Sequence, residues 1–125
     1  MIYFGKQIAY FFKPLAEEAM NIKVACFVAD SPILIFKWAK KAIYRELFAA
    51  KAKVINKRVD KFYKIKNLHA KIYIFDDRIF LSSANLTYTS LFIDYEHAIE
   101  VTETEEKKKV LEFLSKLRRE HEGES

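Results

Sequence analysis

Between Lys71 and Ser83 the chain reads KIYIFDDRIFLSS, two short apolar runs on either side of Asp76-Asp77-Arg78. Runs of this length, rich in β-branched and aromatic residues and bounded by turn formers, are strands, and two joined so closely make a hairpin. A hairpin is not stable alone in water, so the rest of the chain must supply neighbouring strands and helices to cover it. With 125 residues, 51% of them hydrophobic and 15% aromatic, the chain has the material for one packed domain, 1–125, and not for two.

The surrounding pattern alternates. Ile8, Phe11, Phe12, Leu15 and Ala19 recur at helical spacing over 6–20, with Pro14 placed to kink or divide the helix. IKVACFVA, 22–29, reads as a buried strand. Ser31 and Pro32 look like an N-cap and first position of a helix reaching about Ala50, with Ile35, Phe36, Trp38, Ala39, Ala42 and Ile43 inward. A short strand is expected at 52–56, strands around 69–76 and 79–83, a short helical or irregular stretch at 86–92, and a strand at 95–101. Thr102 with Glu105 has the form of a capping box for a last helix, with Val110, Leu111, Phe113, Leu114 and Leu117 on its core face. Helices alternating with strands imply an α/β sandwich, and the hairpin makes its sheet mixed.

Lys6 and Lys13 interrupt the N-terminal apolar run, and no stretch approaches the ~20 apolar residues needed to cross a bilayer. The expectation is a soluble, cytoplasmic protein without stable membrane insertion. Cys26 lies in an apolar run and is expected to be an inert buried thiol. Three His, one Cys and scattered acids show no metal-ligand spacing, so neither a metal nor another cofactor is expected.

Charge is distributed unevenly. Residues 37–71 hold twelve Lys/Arg against Glu46 and Asp60, a net of +10, whereas 72–125 hold seven against twelve acids, a net of −5. A solvated face is the ordinary fate of such a run. A polyanion track is the alternative, with Lys57, Arg58, Lys61, Lys64 and Lys66 as its cations and Phe62, Tyr63 and Trp38 as stacking, lipid-facing or core groups.

That basic run ends at a group of polar residues that a buried hairpin does not require. On a strand, His69 and Lys71 share a face. If Asp76-Asp77-Arg78 is a three-residue loop, Lys71 lies opposite Ser83 and His69 opposite Asn85, which would bring an imidazole, an ammonium, a hydroxyl and a carboxamide together. A two-residue loop would turn one of these sets away.

The residues involved resemble a family. HAKIYIFD fits the HxKxxxxD motif of the phospholipase D superfamily, SSANLT looks like its GSxN element, and Glu96 stands about where that family has a downstream Glu. Ser82 replaces the usual Gly, and the spacing from Asp76 to the Ser/Asn element is one residue shorter than the common form, which a shorter hairpin would absorb. The resemblance implies a phospholipase D-like α/β fold, a mixed sheet with helices on both faces and one motif per chain. It further implies metal-independent phosphodiester cleavage. His69 would be nucleophile or acid, Lys71 and Asn85 would grip phosphate oxygens, Ser83 would support the site and Glu96 would hold the His ring. Asp76 belongs to the same motif in a mainly structural role.

Chemistry agrees with that assignment. Neutral imidazole is a usable nucleophile at pH 7 and its protonated twin a usable acid, while Lys and Asn supply the charge and donors that a phosphorane needs. His97 has no lysine two positions on, and His121 lies in the acidic tail. The second histidine would therefore come from another copy of the chain, a homodimer with one shared site. The expected function is a non-specific DNA or RNA endonuclease. The rivals are a phospholipid phosphodiesterase or transphosphatidylase, and a catalytically degenerate nucleic-acid-binding module.

Overall fold

The computed structural model describes residues 1–28, 31–38 and 62–121. Seven strands form one sheet: β1 (Ile2–Gly5), β2 (Ile22–Val28), β3 (Ser31–Trp38), β4 (Phe62–Lys64), β5 (Ile72–Phe75), β6 (Arg78–Ser82) and β7 (Glu96–Val101). Their order is β1-β7-β6-β5-β2-β3-β4. Two helices, α1 (Ala9–Glu18) and α2 (Thr104–His121), and a single π-turn at Thr89–Ile93 complete the described elements. The α/β class stands. Every pairing among the described residues is antiparallel, however, where a mixed sheet was expected.

Alternation along the central strands sends side chains into two cores. Val24 and Cys26 of β2, Tyr73 and Phe75 of β5 and Phe80 of β6 pack with Ile8, Phe12 and Ala16 from the α1 segment and with Leu91. Ala25, Ile72, Ile74 and Ile79 point the other way and pack with Leu114 of α2. Helices thus lie on both faces of the sheet. Phe12 is fully buried and stacks on Tyr73 with ring centroids 4.4 Å apart, so truncating it to Ala should cost about 3–5 kcal/mol. Pro14 sits inside α1 on an exposed stretch. Pro14 removes the helical partner of the Tyr10 carbonyl there, and the helix nonetheless continues to Glu18.

Three local expectations need correction. Residues 31–38 form strand β3, hydrogen-bonded to β2 in the register Val28↔Ser31 to Ile22↔Trp38, and not the start of a helix. Pro32 is tolerated close to the strand's beginning, and the continuous run from Ile33 to Phe36 fits a strand as well as a helix, so periodicity could not separate them. The expected helix over 39–50 and strand at 52–56 lie outside the described residues. Residues 2–5, for which no strand was expected, pair with β7 as an edge strand. At the other end of the chain α2 opens at Thr104, leaving Thr102 ahead of it. Leu114 is buried, with Val110 and Leu117 packed beside it, but Leu111 and Phe113 are 40% exposed. Positions 110, 114 and 117 form the narrow inward stripe, and 111 and 113 flank it.

Candidate active site

The β5–β6 hairpin has the shorter of the two loops considered. Phe75 pairs with Arg78 and Tyr73 with Phe80, so the loop is Asp76-Asp77. The ladder continues to Lys71, whose carbonyl accepts from the Ser82 amide at 3.0 Å. Lys71 therefore faces Ser82, not Ser83, and the register expected from a three-residue loop is wrong by one.

A bend brings Ser83 and Asn85 to the site nonetheless. The Ser82 hydroxyl donates to the His97 carbonyl at 2.6 Å and accepts from the Ala84 amide at 3.0 Å, a side-chain turn that stops the strand alternation. Ser82 is absent from the residues with positive φ, so the position asks for no left-handed backbone, and a side chain fits where the family has Gly. Beyond the bend, Ser83 accepts from the His97 amide at 2.9 Å and donates to the Glu96 carboxylate at 2.7 Å. One oxygen of Glu96 is engaged in this way.

Asn85 is fixed by β2. Its Oδ1 accepts from the Phe27 amide at 3.1 Å, and the Leu86 amide returns a bond to the Phe27 carbonyl at 2.9 Å. A backbone N–H can only face the oxygen of the carboxamide, so this pairing sets which way the side chain lies. Its Nδ2 is left as a donor. The His69 ring also lies near Phe27, with the two ring centroids 5.6 Å apart. His69 is exposed, and its ring nitrogens carry no hydrogen bond among the described residues, to Glu96 or to any other group. The Lys71 ammonium donates to the His69 carbonyl at 2.8 Å, which uses one of its three donors. These contacts gather His69, Lys71, Ser83, Asn85 and Glu96 at the open end of the hairpin.

Beneath them lies a polar cluster that sequence reasoning overlooked. Tyr73 is fully buried and donates its hydroxyl to the Ala84 carbonyl at 2.6 Å. Burial, followed by the neighbouring Cys26, raises the phenol well above its ordinary pKa, so it is a permanent donor. Burial also pushes the Cys26 thiol up to about 12, against smaller lowering effects from the Leu86 backbone, the Tyr73 hydroxyl and the Lys71 charge. The signal was a tyrosine within the apolar strand IYIF, since a buried hydroxyl must find a partner.

Asp76 is at the other end of β5. It has φ 57°, and its Oδ1 accepts from the Met20 and Asn21 amides at 2.9 Å each, tying the hairpin tip to the turn after α1. It is a structural residue of the motif, remote from His69.

The basic segment is described in part. Lys64 and Lys66 are exposed and alternate with buried Ile65 and Leu68, leading towards His69. Tyr63 packs against the second core. Lys57, Arg58, Lys61 and the side chains of Trp38 and Phe62 lie outside the described residues. Among the described residues no three His, Cys, Asp or Glu side chains cluster as metal ligands, and no helix is long and apolar enough to cross a membrane.

An antiparallel sheet between helices, with an HxK segment leading into β5 and an SxN bend meeting at one end, defines a phospholipase D-type phosphodiesterase domain. Residues 6–118 match the family described as cardiolipin synthase, PLD-like domain, and the chain belongs to that phospholipase D-like family. Among solved structures it is similar to NucT from Helicobacter pylori, with 16% identity, a TM-score of 0.59 and coverage of 95% of this chain and 94% of that one. At that identity the likeness is one of fold. No curated protein sequence matches the chain significantly.

Proposed function

We propose that the protein is a metal-independent nuclease acting on DNA or RNA as a homodimer, with one active site formed by two copies of His69. A neutral His69 nitrogen attacks phosphorus, and the bond from phosphorus to the leaving oxygen breaks. That oxygen takes the proton of the imidazolium contributed by His69 of the partner subunit. The second imidazole, now neutral, removes a proton from water as the water oxygen attacks the phosphohistidine. Cleavage of the P–N bond then returns both histidines to their starting states. Lys71 and the Asn85 Nδ2 donate to the phosphoryl oxygens as charge builds on them. Glu96, anchored through Ser83, has a second oxygen available to orient an imidazole.

The observation that carries this reading is the state of Asn85. The Phe27 amide occupies one acceptor site of its oxygen and so orients the carboxamide, which leaves the Nδ2 donor available at the end of the hairpin that carries Lys71 and the unbonded His69 ring. A set of donors around an available nucleophile suits an anionic phosphodiester. Nucleic acid is favoured over lipid by the +10 charge of residues 37–71, which ends at the site.

The test is cleavage of plasmid DNA, RNA and anionic liposomes, each in excess EDTA. Nucleic acid should be cut and lipid left intact. A strict requirement for a divalent ion after exhaustive stripping would sink the mechanism, and lipid turnover alone would move the substrate to a head group. Binding should weaken with salt by roughly 0.9 log–log units per phosphate contact on duplex DNA. Reversing the charges of Lys64 and Lys66, both exposed, should lower affinity with the fold intact. Unchanged affinity would return that part of the segment to a merely solvated surface.

A further inference from the structure

We infer that Tyr73 is a positioning residue of the active site, its hydroxyl setting the spacing between the HxK segment and the SxN bend; the inference rests on the phosphodiesterase reading of that site. Tyr73 lies two residues from Lys71 on β5 and so shares its face. Its hydroxyl reaches across to Ala84, the residue between Ser83 and Asn85. One buried hydrogen bond thus joins β5, which Lys71 directly precedes, to the bend that carries the hydroxyl and the carboxamide.

The other ties of the bend leave this role open. Ser82 and Ser83 are held by the backbone of His97 on β7, and Asn85 and Leu86 by the backbone of Phe27 on β2. Those bonds fix the bend to the strands on either side of the hairpin. Ala84 is completely buried, and water cannot replace Tyr73 at its carbonyl. The Tyr73 ring is fully buried in the core on the α1 side, of which Phe12 is only one member, so the hydroxyl acts as a spacer of set length even when one neighbour is trimmed. Without it, the Ala84 carbonyl would turn to seek another donor, and Ser83 and Asn85, its two chain neighbours, would turn with it.

The experiment compares wild type with Tyr73→Phe, which removes one oxygen, and with Phe12→Leu, which loosens the ring stack and leaves the hydroxyl. Two readouts are taken: steady-state cleavage of DNA, and the side-chain amide signal of Asn85 in nitrogen-15 NMR during titration with inorganic phosphate. Tyr73→Phe should fold and lower kcat about 10- to 100-fold, the scale of a small misplacement of reacting groups. KM should change less than about threefold, because the basic residues that hold the substrate are untouched. The Asn85 amide signal should move in the free protein and respond more weakly to phosphate. Phe12→Leu should lower the melting temperature at least as much, yet keep kcat and the Asn85 signal near wild type.

Wild-type kcat and an unmoved Asn85 signal in Tyr73→Phe would overturn the inference. So would an equal kcat loss in Phe12→Leu, or a Tyr73→Phe chain that does not fold, since either makes the residue purely structural. If wild type cleaves no nucleic acid, the nuclease reading fails, and the Asn85 signal still decides whether Tyr73 positions the bend.

Discussion

At the tip of the β5–β6 hairpin the Asp76 carboxylate is held by two backbone amides of the α1–β2 turn. At the open end the Asn85 amide group, the second Glu96 oxygen and both His69 ring nitrogens have no partner among the described residues. Both ends are polar, and both belong to one sequence motif. They differ in hydrogen-bonding capacity. Where the fold satisfies a polar group, the group stabilises; where it fixes one atom of a group and leaves another facing outward, the group can take a ligand. Asn85 shows the second pattern most clearly, because a single backbone bond both orients it and leaves its donor available.

The contrast is broken or sharpened first at the open end, where the largest effects belong. His69→Asn, Lys71→Ala and Asn85→Ala should each reduce cleavage by about 10³-fold or more. His69 is exposed, so its variant should melt within about 0.5 kcal/mol of wild type. Mixing His69→Asn and wild-type chains before refolding then tests whether the site is shared. If each dimer needs both histidines, activity follows the square of the wild-type fraction, and an equal mixture keeps about a quarter. A linear curve would mean a complete site in each chain.

At the tip the effects should be smaller and of another kind. Asp76→Ala removes two hydrogen bonds to a carboxylate and places Ala at φ 57°, which should cost about 1–3 kcal/mol of stability. Cleavage per folded molecule should stay within about twofold of wild type, since the substituted site is remote from the reacting groups. A Tm close to wild type combined with lost activity would reverse the roles given to the two ends.

How much of this arrangement was readable in the sequence depended on whether local pattern was decisive. The strands around 72–75 and 78–82, the strand at 96–101 and the α1 helix follow their apolar periods, and those elements were legible. The convergence of Lys71, Ser83 and Asn85 was also expected, though for a reason the structure does not support. A three-residue loop would align them by parity and a two-residue loop would not, yet the loop has two residues and the Ser82 bend performs the alignment. A side-chain turn breaks the period-two rule, so no count of residues along the strands could reveal it. The run from Ile33 to Phe36 failed differently: it is apolar throughout, and only its pairing with β2 and β4 makes it a strand. Tyr73 was passed over although a hydroxyl in an apolar strand needs a partner, and Ala84 carries no side-chain signal that could have named that partner.

A third prediction concerns the sheet that supports both ends. Arg78, the first residue after the tip, donates from Nε and from one terminal nitrogen to the two oxygens of Glu100 on β7, at 2.9 Å each. These hydrogen bonds, and the Arg78 charge, hold the Glu100 carboxyl below its ordinary pKa despite burial. A carboxyl with a lowered folded-state pKa stabilises fully above its unfolded value, and that increment is lost as pH falls through the folded value. Glu100→Gln should therefore be less stable than wild type near neutrality, by about 1 kcal/mol because Arg78 is partly exposed. The gap should close only below the ordinary carboxylate range. Acid melts of the two proteins check this, and a gap independent of pH would remove the ion pair from the account.

The smallest effect is expected at His97, and it tests whether nearness to the site in sequence has any meaning. His97 follows Glu96 directly and its backbone carries three of the bonds that hold the bend: its carbonyl accepts from the Ser82 hydroxyl and the Ser83 amide, and its amide donates to Ser83. Its ring is elsewhere. Successive residues of β7 point to opposite faces, and Ala98, paired with Tyr3, faces the α1 core. Glu96 shares that face, whereas the His97 ring lies on the other one beside Phe4, with centroids 5.9 Å apart. His97→Ala keeps the backbone bonds and deletes only a partly exposed ring, so kcat should remain within about twofold of wild type and stability within about 0.5 kcal/mol. Cleavage assays on this variant and on His69→Asn, run side by side, separate the two histidines. A loss at His97 comparable with that at His69 would put the general acid in the same chain, and the second histidine would no longer have to come from a partner.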